Sequence, residues 1–281
     1  VMHLIMIVAV LSLAWLLRYR YSKPTGNWTQ RWQKSLLLFL LPPLLLLMTA
    51  IAVLLMGPQG QMVGLHTDGF SYSLVLCCVG LAVGLGVNLA TQGWQSLRKI
   101  RTYPQINLDG KPARLLDHLT LFSAQIGFWQ PELVVSQGLL KKLTHEHLQA
   151  VLTHEQAHYY YRDTFWFFWL GWLRQITAWL PNTEALWQEL LLLRELRADH
   201  WARQRVDSLL LAEALLMVVS TPMMASENFC AAFSRPTPPN RLQERIEALL
   251  GESESPTPSR SWTWSWVLLT LLPLIAVPFH S

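Results

Sequence analysis

Charge is scarce in this sequence: Asp, Glu, Lys and Arg make up 14% of 281 residues, while 52% of the side chains are hydrophobic. Soluble domains carry about 25% charged residues, so a wholly aqueous globule is excluded and a membrane protein with a modest aqueous part is expected. Cysteine is scarce too. Cys77 and Cys78 lie in an apolar run and Cys230 stands apart, which excludes a disulfide framework and leaves the pair as small apolar packers. Nucleic-acid motifs are missing, and the net charge of +4 comes from basic residues beside apolar runs, where they orient spans. Direct nucleic-acid binding is therefore not expected.

What each run lacks also orients it. Residues 1–17 are almost wholly apolar, with positive charges after them rather than before, which predicts a span with its N-terminus outside instead of a cleavable signal. Arg18, Arg20, Lys23, Arg31 and Lys34 follow without an acidic residue, marking a cytoplasmic loop. Residues 35–56 are a second expected span, kinked at Pro42-Pro43. The 57–71 loop has no Lys or Arg and is placed outside; Met62, His66 and Asp68 there raise the idea of a metal sensor, against the plainer reading of a polar connection. A third span is expected at 72–92, where Gly80, Gly84 and Gly86 make a small-residue face. Arg98, Lys99, Arg101, Lys111 and Arg114 return the chain to the cytosol. A Ser/Pro/Glu linker near 251–260 and an aromatic belt of Trp262, Trp264 and Trp266 lead into a fourth expected span.

The chemistry lies between these runs. Residues 154–158 read His-Glu-Gln-Ala-His within a helical stretch. At 3.6 residues per turn, His154 and His158 share a face, where two imidazole nitrogens can meet one Zn2+ ion. Glu155, beside the first ligand, is placed to take a proton from the attacking water. A catalytic zinc also needs a third protein ligand and an open position. Glu195, in a second expected helix near 182–203, is the best candidate; Asp199 shares its face and can reach a ligand histidine's other ring nitrogen. The competing reading pairs Glu195 and Asp199 with Arg194, Arg197 or Arg203 on a solvated face. For the donor that a transition-state oxyanion requires, Arg245, Arg241 and His200 are candidates, with Arg235 and Tyr159 beside them. His147 is roughly 10 Å from His154 along the helix axis, too far to share an ion, and reads with His145 as surface histidine.

Around the motif, residues 119–126 and 132–136 are expected to form a small β hairpin about a turn at 127–131. Its edge either holds an extended substrate or only packs under the helix. The metal helix and its lead-in are expected over 140–161, with Thr144 as N-cap. Residues 164–180, capped by Asp163, are apolar enough to suggest another crossing. One crossing would separate His154 and His158 from Glu195, and two need about forty residues. This segment is therefore expected to lie at the inner interface with Arg174 snorkelling.

Residues 127–139 (Gly-Phe-Trp-Gln-Pro-Glu-Leu-Val-Val-Ser-Gln-Gly-Leu), 148–158 (Leu-Gln-Ala-Val-Leu-Thr-His-Glu-Gln-Ala-His), Arg162-Asp163 and Arg194-Glu195 with Asp199 resemble the BlaR/MecR family of membrane zinc metallopeptidases. More distantly the chain is similar to the Ste24/HtpX type. The resemblance spans about residues 115–205. It implies a gluzincin-like site with Glu195 as third ligand, a regulatory protease acting on a winged-helix repressor, and self-cleavage, for which the 221–240 loop is the natural place. Antibiotic-sensing members carry an extracellular penicillin-binding domain after the last span. Four residues, 278–281, follow it here, so β-lactam sensing by that route is not expected.

The expected fold is mainly α and integral to the membrane: four transmembrane helices around a cytosol-facing, gluzincin-like zinc protease domain with a small β hairpin. Residues 1–93 form a three-helix transmembrane region, 94–260 the protease domain with its interfacial helix at 164–180, and 261–281 the last span. The expected function is a zinc metalloendopeptidase of the bacterial inner membrane, with both termini outside, cutting a cytosolic BlaI/MecI-type repressor. Alternatives are a membrane-protein quality-control protease and a non-proteolytic receptor with a structural metal.

Overall fold

Long apolar runs without internal charge fold as helices, because a helix satisfies its own backbone polar groups. The computed structural model describes residues 2–22, 26–58, 61–62, 65–66, 69–220, 241–251 and 265–279. Helices α1 (Met2–Tyr19), α2 (Trp28–Met56) and α3 (Gly69–Arg101) occupy the three N-terminal runs. Between α2 and α3, strands β1 (Gln61–Met62) and β2 (Leu65–His66) pair antiparallel. The metal-sensor idea falls largely outside the described residues.

Among the described residues two helices, α2 and α3, are long and apolar enough to cross a membrane, where the sequence predicts four spans. The first expected span is an 18-residue helix, about 27 Å at 1.5 Å per residue and so just short of the hydrocarbon layer. The fourth is broken. A four-residue α10 (Trp266–Leu269) precedes a 3-10 helix at Leu272–Phe279, because Pro273 and Pro278 remove the donors that a continuous helix needs. Pro42 and Pro43, by contrast, sit buried within an unbroken α2.

The chain divides into two compact units: residues 1–87, 172–190 and 256–281, and residues 88–171 and 191–255. In the first, Arg31 donates to the buried carboxylate of Glu189 at 2.8 Å through Nε, and the buried Arg18 donates to Thr183 Oγ1 and Phe39 O. The small-residue face of α3 is used at Gly86, where an added Cβ would lie 3.2 Å from the Trp172 indole nitrogen. That nitrogen donates to Ala82 O at 2.7 Å.

The second unit is built on a mixed sheet in the order β3-β4-β6-β5, larger than the expected hairpin. β3 (Gln105–Leu108) and β4 (Lys111–Leu116) close on the two-residue turn Asp109-Gly110, both with positive φ (50° and 79°), as a type I′ hairpin requires. β4 pairs parallel with β6 (Glu132–Ser136), and β6 pairs antiparallel with the edge strand β5 (Ser123–Ile126). After β6 come α4 (Gln137–Lys142) and α5 (His145–Tyr160), the latter capped by Thr144 as expected. Ala150 and Val151 of α5 enter one core with Ala113 and Val135 of the sheet and with Leu211, Ala214 and Leu215 of α8 (Ser208–Ser220). Two further helices complete the unit's framework: α6 (Asp163–Ile176), at 14 residues about 21 Å long and too short to span, and α7 (Thr183–Ala202), whose second half belongs here.

The segment leading into β5 is laid tightly over the start of α4. Ser136 Oγ accepts from Leu139 N and Phe122 N and donates to Thr120 O. A Cβ on Gly138 would stand 2.1 Å from Leu119 O, so only glycine fits. Gly138→Ala is expected to destabilise the protein by about 1–3 kcal/mol, read as a lower thermal midpoint by circular dichroism. An unchanged midpoint would show that this segment yields freely.

Candidate metal centre

α5 places His154 and His158 one turn apart, and the chain then reverses through Arg162, whose φ of 52° is left-handed. That reversal returns Asp163 to His158. Asp163 Oδ2 lies 2.7 Å from His158 Nδ1, and Arg197 of α7 donates to the other oxygen. Asp163 was expected as a helix cap; it is instead the first residue of α6 with its carboxylate turned to the site. On the other histidine, Asp199 Oδ1 lies 2.9 Å from His154 Nδ1. Each imidazole thus meets a carboxylate at Nδ1, which fixes the proton there and leaves Nε2 to ligate.

The two Nε2 atoms face each other at 3.1 Å. Glu195 closes the triangle, with Oε2 at 3.4 Å from His154 Nε2 and Oε1 at 3.7 Å from His158 Nε2. Two ligands about 2.0–2.1 Å from a tetrahedral zinc stand roughly 3.3 Å apart, so the spacing fits the ion. The donor set fits as well: two imidazoles and a carboxylate, all within 4.8 Å of one another, on two helices whose expected bounds were close to those observed. Glu195 and Asp199 are buried, not on a solvated face. Glu155, also buried, accepts from Ser123 Oγ at 2.8 Å.

Arginines balance these acids. Arg194 donates to Glu195 Oε1 through Nε at 2.9 Å and Nη2 at 2.6 Å, with its guanidinium over the Phe167 ring. Arg245, from α9 (Leu242–Leu250), grips Asp199 with two bonds of 2.7 and 2.8 Å and reaches Glu195 Oε2 at 3.2 Å. Burial alone would raise the Glu195 pKa; Arg194, His158 and Arg245 instead hold it well below the usual carboxylate range. Asp199 is likewise lowered, against its burial, by Arg245 and His154. Burial opposes charge on His154, but Asp199 and Glu195 outweigh it and raise its pKa to about 9 in the metal-free protein.

Of the other expected donors, Arg241 Nη1 lies 3.7 Å from Glu244 Oε2, His200 Nε2 lies 3.2 Å from Gln204 Nε2, and Tyr159 is exposed. Arg235 and the 221–240 loop lie outside the described residues. His147 links α5 to Glu213 of α8 at 3.1 Å instead of standing free on the surface. Asp163 and Ser123 are the site residues that sequence reasoning missed. The first had a readable signal, an acid five residues past the second histidine; the second had none.

Zinc must displace the proton that His154 holds, so apparent zinc affinity should rise about tenfold per pH unit and level off near pH 9. Chelator competition with metal-free protein checks this, and a profile flat from about pH 6 upward would contradict the proton's presence. Asp163→Asn should weaken zinc binding about 10–100-fold, measured in the same titration.

Residues 122–221 match the model of Peptidase family M48, a stretch that runs from β5 to the end of α8 and includes all three ligands. No curated protein matches the chain. The matched family is that of the Ste24/HtpX type, the more distant of the two resemblances drawn from the sequence. The segment that gathers His154, His158 and Glu195 is thus a Peptidase family M48 domain, and its chemistry is that of a zinc metallopeptidase.

Proposed function

We propose that this chain is a membrane-embedded endopeptidase whose zinc centre faces the cytosol of a bacterium and whose substrate is a cytosolic protein, in the first place a winged-helix repressor. The observation that carries the endopeptidase reading is the convergence of His154, His158 and Glu195 beside Glu155, which in turn touches the edge strand. Basic residues flanking α2 and α3 support the cytosolic orientation. The resemblance over residues 115–205 supports the repressor. The placement of the 14-residue α6 at the inner membrane interface belongs to the same proposal.

Among the described residues β5 is hydrogen-bonded only to β6, so its outer edge can take an extended segment of substrate through main-chain bonds. His154, His158 and Glu195 would hold a Zn2+ ion, which when bound would supply Lewis acidity and a bound water of lowered pKa. Glu155 takes the proton of the attacking water and passes it to the departing amine. Asp163 and Asp199 hold the two imidazoles in the ligating tautomer. The arginines keep Glu195 ionised, and Arg245, bonded to that ligand, is the nearest of the expected oxyanion donors.

A quality-control protease for damaged membrane proteins is the second reading. The open edge of β5 favours it, since main-chain pairing reads any extended segment. Full-length protein in lipid nanodiscs, with a winged-helix repressor of the BlaI/MecI type and an unfolded membrane protein as competing substrates, separates the two. Single-site cleavage of the repressor supports regulation, whereas preference for the unfolded protein supports quality control. Glu155→Gln should keep its zinc and lose about 10²–10⁴-fold in rate. Full cleavage by that variant would remove the general-base assignment, and signalling retained without any cleavage would leave a receptor with a structural metal.

A further inference from the structure

We infer that Ser123 is a positioning residue for the general base, its hydroxyl fixing the Glu155 carboxylate in the orientation that proton transfer requires. The inference rests on the peptidase reading above. Ser123 opens β5, where its register partner is Val135 and the next pair is Ala124 with Val134. Its Oγ donates to Glu155 Oε1 at 2.8 Å.

The last torsion of a glutamate is broad and nearly two-fold. Packing of α5 therefore sets where the Glu155 side chain goes without setting the plane of its carboxylate. A hydrogen bond to an ionised acceptor is short and directional, and this one comes from a strand whose backbone is held by the sheet. It thus supplies the constraint that packing leaves out. The base has to stand within about 2.6–3.2 Å of the proton it takes, and a misplacement near 1 Å costs on the order of a hundredfold. Holding one oxygen toward Ser123 orients the other. Ser123 also joins two tasks: its backbone lies on the edge where an extended segment would pair, and its side chain lies on the base. Substrate alignment and base alignment then share one rigid element.

The test uses full-length, membrane-embedded, zinc-loaded protein with fluorescein-labelled casein as probe. Ser123→Ala is expected to lower kcat about tenfold to a hundredfold, with KM within about twofold and with zinc content and thermal midpoint as in the wild type. Ser123→Thr keeps a hydroxyl and should recover most of the rate. In a Glu155→Gln background, Ser123→Ala should have no further effect on the residual rate, because the two residues act as a unit. A wild-type kcat in Ser123→Ala, a loss that Ser123→Thr leaves unrepaired, or an additive loss in the double variant overturns the assignment and leaves the peptidase reading standing. Failure of the wild type to cleave casein, the repressor and the unfolded membrane protein alike in a zinc-dependent way overturns the peptidase reading and this inference with it.

Discussion

Three electron-pair donors held together in a protein interior are costly unless a metal ion or a proton lies among them. Nε2 of His154, Nε2 of His158 and the carboxylate of Glu195 converge in that way, and much of the second unit is arranged to make the convergence tolerable. Asp199 and Asp163 take the far nitrogens of the imidazoles. Arg194, Arg197 and Arg245 bind the acids in turn. Four carboxylates (Glu155, Asp163, Glu195, Asp199) against three guanidinium groups leave one negative charge, before the cation is counted. Without metal, a proton on His154 takes that place, which is why its pKa climbs against the cost of burial.

This arrangement explains why the unit needs so many separate elements for so small a site. α5 supplies two ligands and Glu155, α7 the third ligand and one carboxylate, the first turn of α6 the other carboxylate, and α9 the arginine that bridges Glu195 and Asp199. Apart from Arg194, which pairs with Glu195 on its own helix, each of these charged groups is buried with a partner that another element brings, and removal of one partner would strand the other in a medium of low dielectric. The sheet adds an edge strand, β5, whose Ser123 touches Glu155.

Legibility in the sequence followed the range of the interaction. The ligand pair one turn apart, the Thr144 cap and the extent of α7 depend on spacings of a few residues, and the structure keeps them. The β3–β4 hairpin also has a local signal, the Asp109-Gly110 pair, whose φ angles are both positive. The Asp163 role needed the backward turn at Arg162, and the Arg245 bridge needed 46 residues of chain to fold back on Asp199. Span counting failed at the C-terminal end because mean apolarity does not register what Pro273 and Pro278 do to a helix.

The sequence by itself determined the metal, two of its ligands and the place of Glu155 beside them, because a helix converts a four-residue spacing into a shared face without help from the rest of the chain. It also determined that long stretches of the protein are apolar. Only the tertiary structure decided that Glu195 faces the histidines instead of a solvated arginine, that two different carboxylates serve the two imidazoles, and that Ser123 reaches Glu155. Those depend on how separate helices and an edge strand pack together, and packing is set by the whole core, not by any local pattern.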